Sequence, residues 1–381
     1  MRTLRHLTVL AVCCLAVGVR PVAAADVAVW VYDLPQWTEN QWQARSAALP
    51  PGTRHVYASV EEGPRFLLDD EFQAAHMQRL AGFLREHSRI AVHAMLLQDT
   101  RWLDDPAGAR DRVTRLLQLN RYRPEQAFAG VHVDVEAHTL EAWECGSIPE
   151  RRGLIQKLQS LLAQLAQVMA SPQKTAKGRP VLSAALPWWI GPLSADIPEA
   201  SPGRWLESLD EIVLLAFGDP GGPLVGGSAR ALLRRLEDGH LWSGLAAGKG
   251  IRIGLATYEY ASAGDLAATI RELDRALARQ PAYRGTAIFH SVSSYGAPLT
   301  ASVRGLVQDG SGQPVAGAGI RAGERQSVTN RCGRFTIRNL PLATATLEVG
   351  GIGLTSVSVP VMGLAPGSEL ELPPILVGRR P

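Results

Sequence analysis

The sequence predicts an α/β chain: a (β/α)8 TIM barrel followed by a small all-β sandwich domain. Three observations predict it. Between Asp26 and Pro298, short apolar runs alternate with helix-period segments, as in parallel α/β architectures. The runs number eight, the strand count of a closed (β/α)8 barrel. After about Thr300 the texture changes to short Val, Thr and Leu runs broken by Gly and Pro, and all nine tryptophans lie before that change, between Trp30 and Trp242. The expected divisions are a signal segment over 1–25, the barrel over 26–298 and the sandwich over 301–378. A length of 381 residues also favours more than one domain.

The first 25 residues read as a secretory signal. Arg2 and Arg5 form a basic start, Leu7 to Val19 an apolar stretch, and Ala23, Ala24 and Ala25 a small-residue cleavage site. The apolar stretch is too short for a bilayer span, so no membrane span is expected after signal removal. The expected location is periplasmic or secreted. The signal carries Arg2, Arg5 and Arg20 and no acid. Without it, 36 Lys and Arg face 36 Asp and Glu. The apparent basicity disappears, and with it the compositional case for nucleic acid. Cys13 and Cys14 leave with the signal, so Cys145 and Cys332 remain. A bridge between them needs an oxidising compartment and a geometry that sequence does not give. No Cys/His spacing suggests structural zinc, and neither a cofactor nor a metal is expected.

The predicted barrel strands are Val27–Tyr32, His55–Ser59, Ile90–Leu97, Gly130–Glu136, Val181–Pro187, Glu211–Phe217, Ile251–Thr257 and Thr286–Ser291. Helical patterns fall around Gln73–Glu86, Ala107–Leu119, Arg151–Met169, Ser228–Glu237 and Gly264–Arg279. The clearest is Arg151–Met169, with Leu154, Leu158, Leu161, Leu162 and Leu165 at helical spacing. Helical patterns after strands one and five are weak. In the tail, Val303–Val307, Ala318–Ala322, Ser327–Thr329, Arg334–Ile337, Ala345–Val349, Thr355–Pro360 and Glu369–Pro373 are seven short runs between turn signals, which suits a sandwich.

The stretch Gly130-Val131-His132-Val133-Asp134-Val135-Glu136 carries the chemistry. Side chains alternate along a strand, so His132, Asp134 and Glu136 share one face and the three valines the other. Three polar groups on one face of a β-branched strand suit the interior of a parallel barrel, with Glu136 at its C-terminal mouth. Glu136 and Asp134 are the candidate catalytic residues. Glu136 would donate a proton; Asp134 would hold it and raise its pKa by like-charge proximity. Candidate substrate-binding residues at or near the strand ends are His132, Asp99, Trp102, His138, Trp143, Trp188, Trp189, Phe217, Asp219, Tyr258, His290 and Tyr295. Carboxylates among aromatic rings suit a sugar polymer, whose C–H faces stack on rings while its hydroxyls bond polar groups. The expected partner is a polysaccharide or oligosaccharide, with cell-envelope or exopolysaccharide components as further candidates. Trp30 is expected in the core. Trp188 and Trp189 point to opposite faces, so one of them packs between strand and helix. Glu61, Glu62 and Asp105 read as solvated loop charges. Metal binding by His132, Asp134, Glu136 and His290 stays open as an alternative.

The strand-four stretch resembles the DGxDxDxE signature of family-18 chitinases and related barrels. Gly130, Asp134 and Glu136 match; Ala129 and His132 stand where that pattern has Asp. The resemblance implies that Glu136 is the acid and that Asp134 orients an N-acetyl group of the substrate. Phe217 stands where the family has a tyrosine on strand six, and the region of His290 where it has a tryptophan. The stretch is also similar to bacterial barrels carrying G[IV]HxDxEPxxLxxW, here continued by Ala137, His138, Leu140 and Trp143. The tail resembles carboxypeptidase regulatory-like domains, through Val303 to Val307, Pro314 to Ala318 and Thr329 to Phe335. That resemblance implies an accessory or binding module with no active site of its own. Three functions follow as candidates: a secreted glycoside hydrolase, a non-catalytic glycan-binding protein on a degenerate barrel, and a deacetylase-like metalloenzyme.

Overall fold

The computed structural model describes residues 26–170, 179–188, 190–217, 245–257, 260, 262–289, 300–364 and 369–379. Eight parallel strands close into a barrel: β1 Val27–Val31, β2 Thr53–Ser59, β3 Ala91–Leu96, β4 Gly130–Val133, β5 Val181–Pro187, β6 Glu211–Leu215, β7 Gly250–Ala256 and β8 Tyr283–Phe289. Each pairs with its neighbours in sequence, and β1 closes the ring by pairing with both β2 and β8. All five residues of β1 are buried, as expected for strands covered on both faces. The signal segment and the helical pattern at Ser228–Glu237 lie outside the described residues.

Among the described residues, four longer helices cover the barrel: α1 Glu71–Ser88, α2 Pro106–Tyr122, α3 Ile148–Ala170 and α4 Ala263–Leu277. Local chemistry starts each of three. The Asp70 carboxylate accepts from the amides of Phe72 and Gln73, Asp105 accepts from Gly108 ahead of a proline start, and Ser262 accepts from Asp265. Helix α3 buries Leu158, Leu161, Leu162 and Leu165, the predicted stripe. Among the described residues, the segments after β1 and β5 hold short helical pieces of at most six residues, where the sequence pattern is weak. Asp105 is therefore a helix cap as well as an exposed charge. Glu61 departs further from expectation. Its side chain is 4% exposed, pairs with Arg112 and accepts from the Gln98 amide at 3.1 Å. It sits in a two-residue hairpin strand, Glu61–Glu62 against Arg65–Phe66, which ties the loop after β2 to α2.

Inside the barrel, the N-terminal end is closed by a buried ion pair. Arg252 on β7 is 3% exposed and donates to both carboxylate oxygens of Glu211 on β6, at 3.2 and 3.3 Å. It also donates to the Asp26 carbonyl, and Tyr57 on β2 donates to Glu211 at 3.0 Å. Above this floor Trp30, Tyr57, Met95, Ala185 and Val213 pack together.

The tail forms two four-stranded sheets. One contains β9 Thr300–Asp309, β12 Arg334–Pro341, β15 Glu369–Glu371 and β16 Ile375–Val377; the other contains β10 Gly319–Ala322, β11 Arg325–Val328, β13 Thr346–Gly350 and β14 Val357–Pro360. Val303, Val307, Ile320, Phe335, Ile337, Leu347 and Val349 fill the space between them. All seven predicted runs are strands. The eighth, β16, has only three residues and pairs with the far half of β9.

The sandwich is fastened to the barrel. Cys145, after the short helix Glu141–Glu144, is bonded to Cys332 in a turn of the sandwich, with Cα atoms 5.5 Å apart. The same turn is held by Asn330 donating to Glu144 at 2.8 Å, and by Arg331 donating to Glu141 through its amide and to Glu150 through its guanidinium. Gly333 closes the turn at φ +73°, and a Cβ there would lie 2.5 Å from the Val307 carbonyl. The crosslink closes a loop of 187 residues. Restricting so long a loop in the unfolded chain stabilises the fold by about 2–4 kcal/mol. Cys332→Ser is expected to lose about that much in denaturant unfolding, with wild type falling to the same value under reductant.

Candidate active site

Strand β4 begins at Gly130, where a Cβ would collide with the Val181 carbonyl and the His93 ring. That glycine lets β3, β4 and β5 approach closely at the base. Pairing with both neighbours ends at Val133. The strand is thus three residues shorter than predicted. The chain turns at Val135, whose carbonyl accepts from the Ala137 amide at 3.1 Å, and enters a helical turn over Ala137–Thr139. Asp134 and Glu136 therefore stand on the loop at the barrel's C-terminal mouth.

His132 lies deeper. It is fully buried, stacks on Tyr57 with ring centroids 3.9 Å apart, accepts from Trp30 Nε1 at 3.3 Å and contacts Ser183 Oγ at 2.9 Å. An acceptor Nε2 places the proton on Nδ1, which donates to Ser183. Burial lowers the ring's pKa to about 3, so it is neutral. This corrects its assignment as a substrate contact: the interior spends both ring nitrogens on Trp30 and Ser183, and none faces the mouth.

The two carboxyls differ in proton affinity. Burial, and then the charge of Glu136, raise Asp134 to about 7. Burial raises Glu136 too, and the positive charge of Arg338 pulls it back. Tyr32 follows directly after β1; partial burial and the charges of Asp134 and Glu136 raise it, which places its hydroxyl in their field. His138 Nε2 is 3.9 Å from Glu136, too far for a hydrogen bond, and burial lowers the ring to about 4. The ring is neutral at pH 7, so its approach to Glu136 is not a pairing of opposite charges there.

A raised carboxyl makes a stability prediction. Between the ordinary carboxylate range and about pH 7, folded Asp134 keeps a proton that the unfolded chain has released. Stability therefore falls as pH rises through that window, then stays level. Asp134→Asn is expected to melt above wild type at pH 8, by a few kcal/mol of relieved penalty, and beside it at pH 4. Thermal melts across that range measure the difference.

Glu136 opens into a cleft of about 730 Å³ between the barrel mouth and the sandwich. Its barrel wall includes His138, Trp143, Trp188 and Phe217; its sandwich wall includes Arg304, Arg334, Phe335, Thr336, Arg338 and Glu371. Five predicted site residues thus meet in one cleft. Two others do not. Asp99 caps the helical turn Thr100–Leu103, accepting from Arg101 at 2.8 Å. Trp102 is buried beneath the Arg101 and Arg112 guanidiniums, each 4.5 Å from its ring. Neither lines the cleft: Asp99 is an exposed cap and Trp102 is buried under the two guanidiniums. Trp189, Asp219, Tyr258, His290 and Tyr295 lie outside the described residues. Among the described residues no three His, Cys, Asp or Glu side chains form a metal-holding group, and no helix is long and apolar enough to cross a membrane.

Sequence reasoning missed Tyr32, which lies at the end of the predicted first strand, and Arg338, for which no local signal exists. It also passed over Arg252, a lone charge between Ile251 and Ile253.

The family profile described as carboxypeptidase regulatory-like domain matches residues 302–375, the sandwich. No curated protein matches the chain in sequence. Among solved structures, a cohesin–X–dockerin complex from Acetivibrio cellulolyticus aligns over 20% of this chain and 56% of its own, at 17% identity and TM-score 0.18. A glycoside hydrolase family 18 N-acetylglucosaminidase from Paenibacillus barengoltzii aligns over 82% of this chain and 87% of its own, at 12% identity and TM-score 0.38. A cell-surface-expressed multi-modular chitinase from Paenibacillus sp. str. FPU-7 aligns over 91% of this chain, at 10% identity and TM-score 0.43. The chain spans 56% of that chitinase chain too, little more than half of each. Architecturally, the chain is a closed eight-stranded parallel barrel carrying a sandwich that the carboxypeptidase regulatory-like profile matches. These are likenesses of fold, and function rests on the cleft.

Proposed function

We propose that this chain is an exported glycoside hydrolase acting on a polysaccharide, with Glu136 as general acid and Asp134 as its partner. One observation carries the reading. Two carboxyls of raised proton affinity stand together at the C-terminal mouth of a parallel barrel, and one opens into a cleft walled by Trp143, Trp188 and Phe217. Glycoside cleavage needs a proton at the leaving oxygen and negative charge near an oxocarbenium-like centre. A pair sharing one proton can supply both. The Cys145–Cys332 bond and the leader-like first 25 residues support export.

A second reading, a glycan-binding protein on a degenerate barrel, is favoured by His132. The resemblance would have an acid there, and the His132 ring is taken up by the core. The deacetylase-like reading has little to stand on, because His132 offers no free ring nitrogen to a metal beside Asp134. The deciding experiment incubates the mature protein and Glu136→Gln with a polysaccharide panel, including chitin and bacterial exopolysaccharides, and measures new reducing ends. Release by wild type alone supports the hydrolase. Equal release by both removes Glu136 from its role. Binding without release by either moves the conclusion to the binding protein.

A further inference from the structure

We propose that the outer face of the sandwich is the specificity wall of this cleft, and that Arg334 and Arg338 select a glycan bearing carboxylate groups. The proposal rests on the reading of the cleft as a glycan site and adds the substrate's charge class. On β12 burial alternates: Phe335 and Ile337 point into the sandwich core, whereas Arg334, Thr336 and Arg338 line the cleft opposite the barrel. In the adjacent β9 and β15, Arg304 and Glu371 lie in register with Thr336 and pair with each other at 2.7 Å. That pair is internally neutral. Among the described residues, no hydrogen bond or salt bridge holds the guanidinium of Arg334 or of Arg338, so both stay available in the cleft.

Two features argue for a ligand rather than a solvated charged face. First, the strand is fixed over the barrel. Cys332, two residues before Arg334, is bonded to Cys145, and the Asn330 and Arg331 contacts hold the same turn on Glu141, Glu144 and Glu150. The guanidiniums are therefore carried on a rigid support, as selective recognition requires. Second, Arg334 and Arg338 are four strand residues apart, about 13 Å at the rise of an extended chain. Such spacing suits a polymer with recurring acidic residues better than a single sugar. A planar guanidinium fork matches a carboxylate with two parallel hydrogen bonds. Opposite them the barrel wall is lined by the half-buried Phe217 and by the edges of the largely buried Trp143 and Trp188, apolar surface for a sugar face.

The test measures affinity by calorimetry, using the full mature chain. The probes are polygalacturonate, alginate and hyaluronan, each beside its fully methyl-esterified form, with dextran sulfate as a second anion. Wild type is expected to bind at least one carboxylate polymer about tenfold or more tighter than its ester, with the preference weakening as salt rises. Arg338→Gln is expected to lose about tenfold on the acid form and nothing on the ester, and Arg338→Lys to recover only part. Both positions are exposed, so unchanged melting temperatures are expected and would separate lost recognition from lost folding. Equal affinity for acid and ester overturns the proposal, as does a preference unchanged in both Arg338→Gln and Arg334→Gln, or no binding to any probe. Tighter binding of dextran sulfate overturns the carboxylate assignment. Charge-selective binding without release of reducing ends would fail the hydrolase and leave this proposal standing. Release from neutral polymers with no charge preference would do the reverse.

Discussion

Glu136→Gln is expected to lower hydrolysis by about two to four orders of magnitude, the usual contribution of a positioned general acid. Binding should stay within a few fold, because the amide keeps the size and polarity of the side chain. The companion expectation is a pH profile. Burial raises both carboxyls, and Asp134 holds its proton up to about pH 7. The two titrate as a pair, so the singly protonated form belongs to the dyad rather than to one residue. Activity carried by that form falls as pH rises above about 7, because the last shared proton leaves there. Asp134→Asn would remove the group that burial and the Glu136 charge raise to about 7, and so would shift the falling limb to lower pH. A falling limb unmoved by Asp134→Asn would sink the coupled assignment, even if Glu136 proved essential.

Arg252→Met is expected to destabilise the barrel by about 3–5 kcal/mol, because it leaves the Glu211 carboxylate without its counter-ion on the barrel floor. The loss extends beyond one pair. Arg252 also satisfies the Asp26 carbonyl, and Glu211 accepts from Tyr57, so strands β1, β2, β6 and β7 meet at this network. The double replacement Arg252→Met with Glu211→Leu should recover much of the loss, since an apolar pair carries no buried charge. Urea unfolding of the three variants checks both statements. Full stability in Arg252→Met would mean that water reaches the floor and solvates Glu211. The site lies at the opposite end of the barrel from Asp134 and Glu136, so remaining folded protein should keep its ligand affinity.

Much of the architecture was legible locally. Each barrel strand shows as an apolar run because both faces of a closed parallel sheet are covered, and each long helix shows as a 3.6-residue stripe. The strand-four stretch announced its carboxylates through alternation alone. Its end was less legible: Asp134 to Glu136 read as strand, yet pairing stops at Val133, because hydrogen bonding to β3 and β5 decides where a strand ends. Glu61 misled for a similar reason. A glutamate in a loop reads as solvated until Arg112, on a helix 51 residues away, buries it.

What the sequence alone determined were the elements, their order and the chemistry of strand four, because backbone geometry imposes short periods that residues must obey. What only the tertiary structure decided was which side chains share a site. Asp99 and Trp102 line no part of the cleft, His132 is absorbed by the core, and Tyr32 enters the field of the carboxyls. Arg338 arrives from a separate domain held by a bond between residues 187 positions apart. Electrostatic influence and burial depend on distance in space, and no local periodicity encodes that distance.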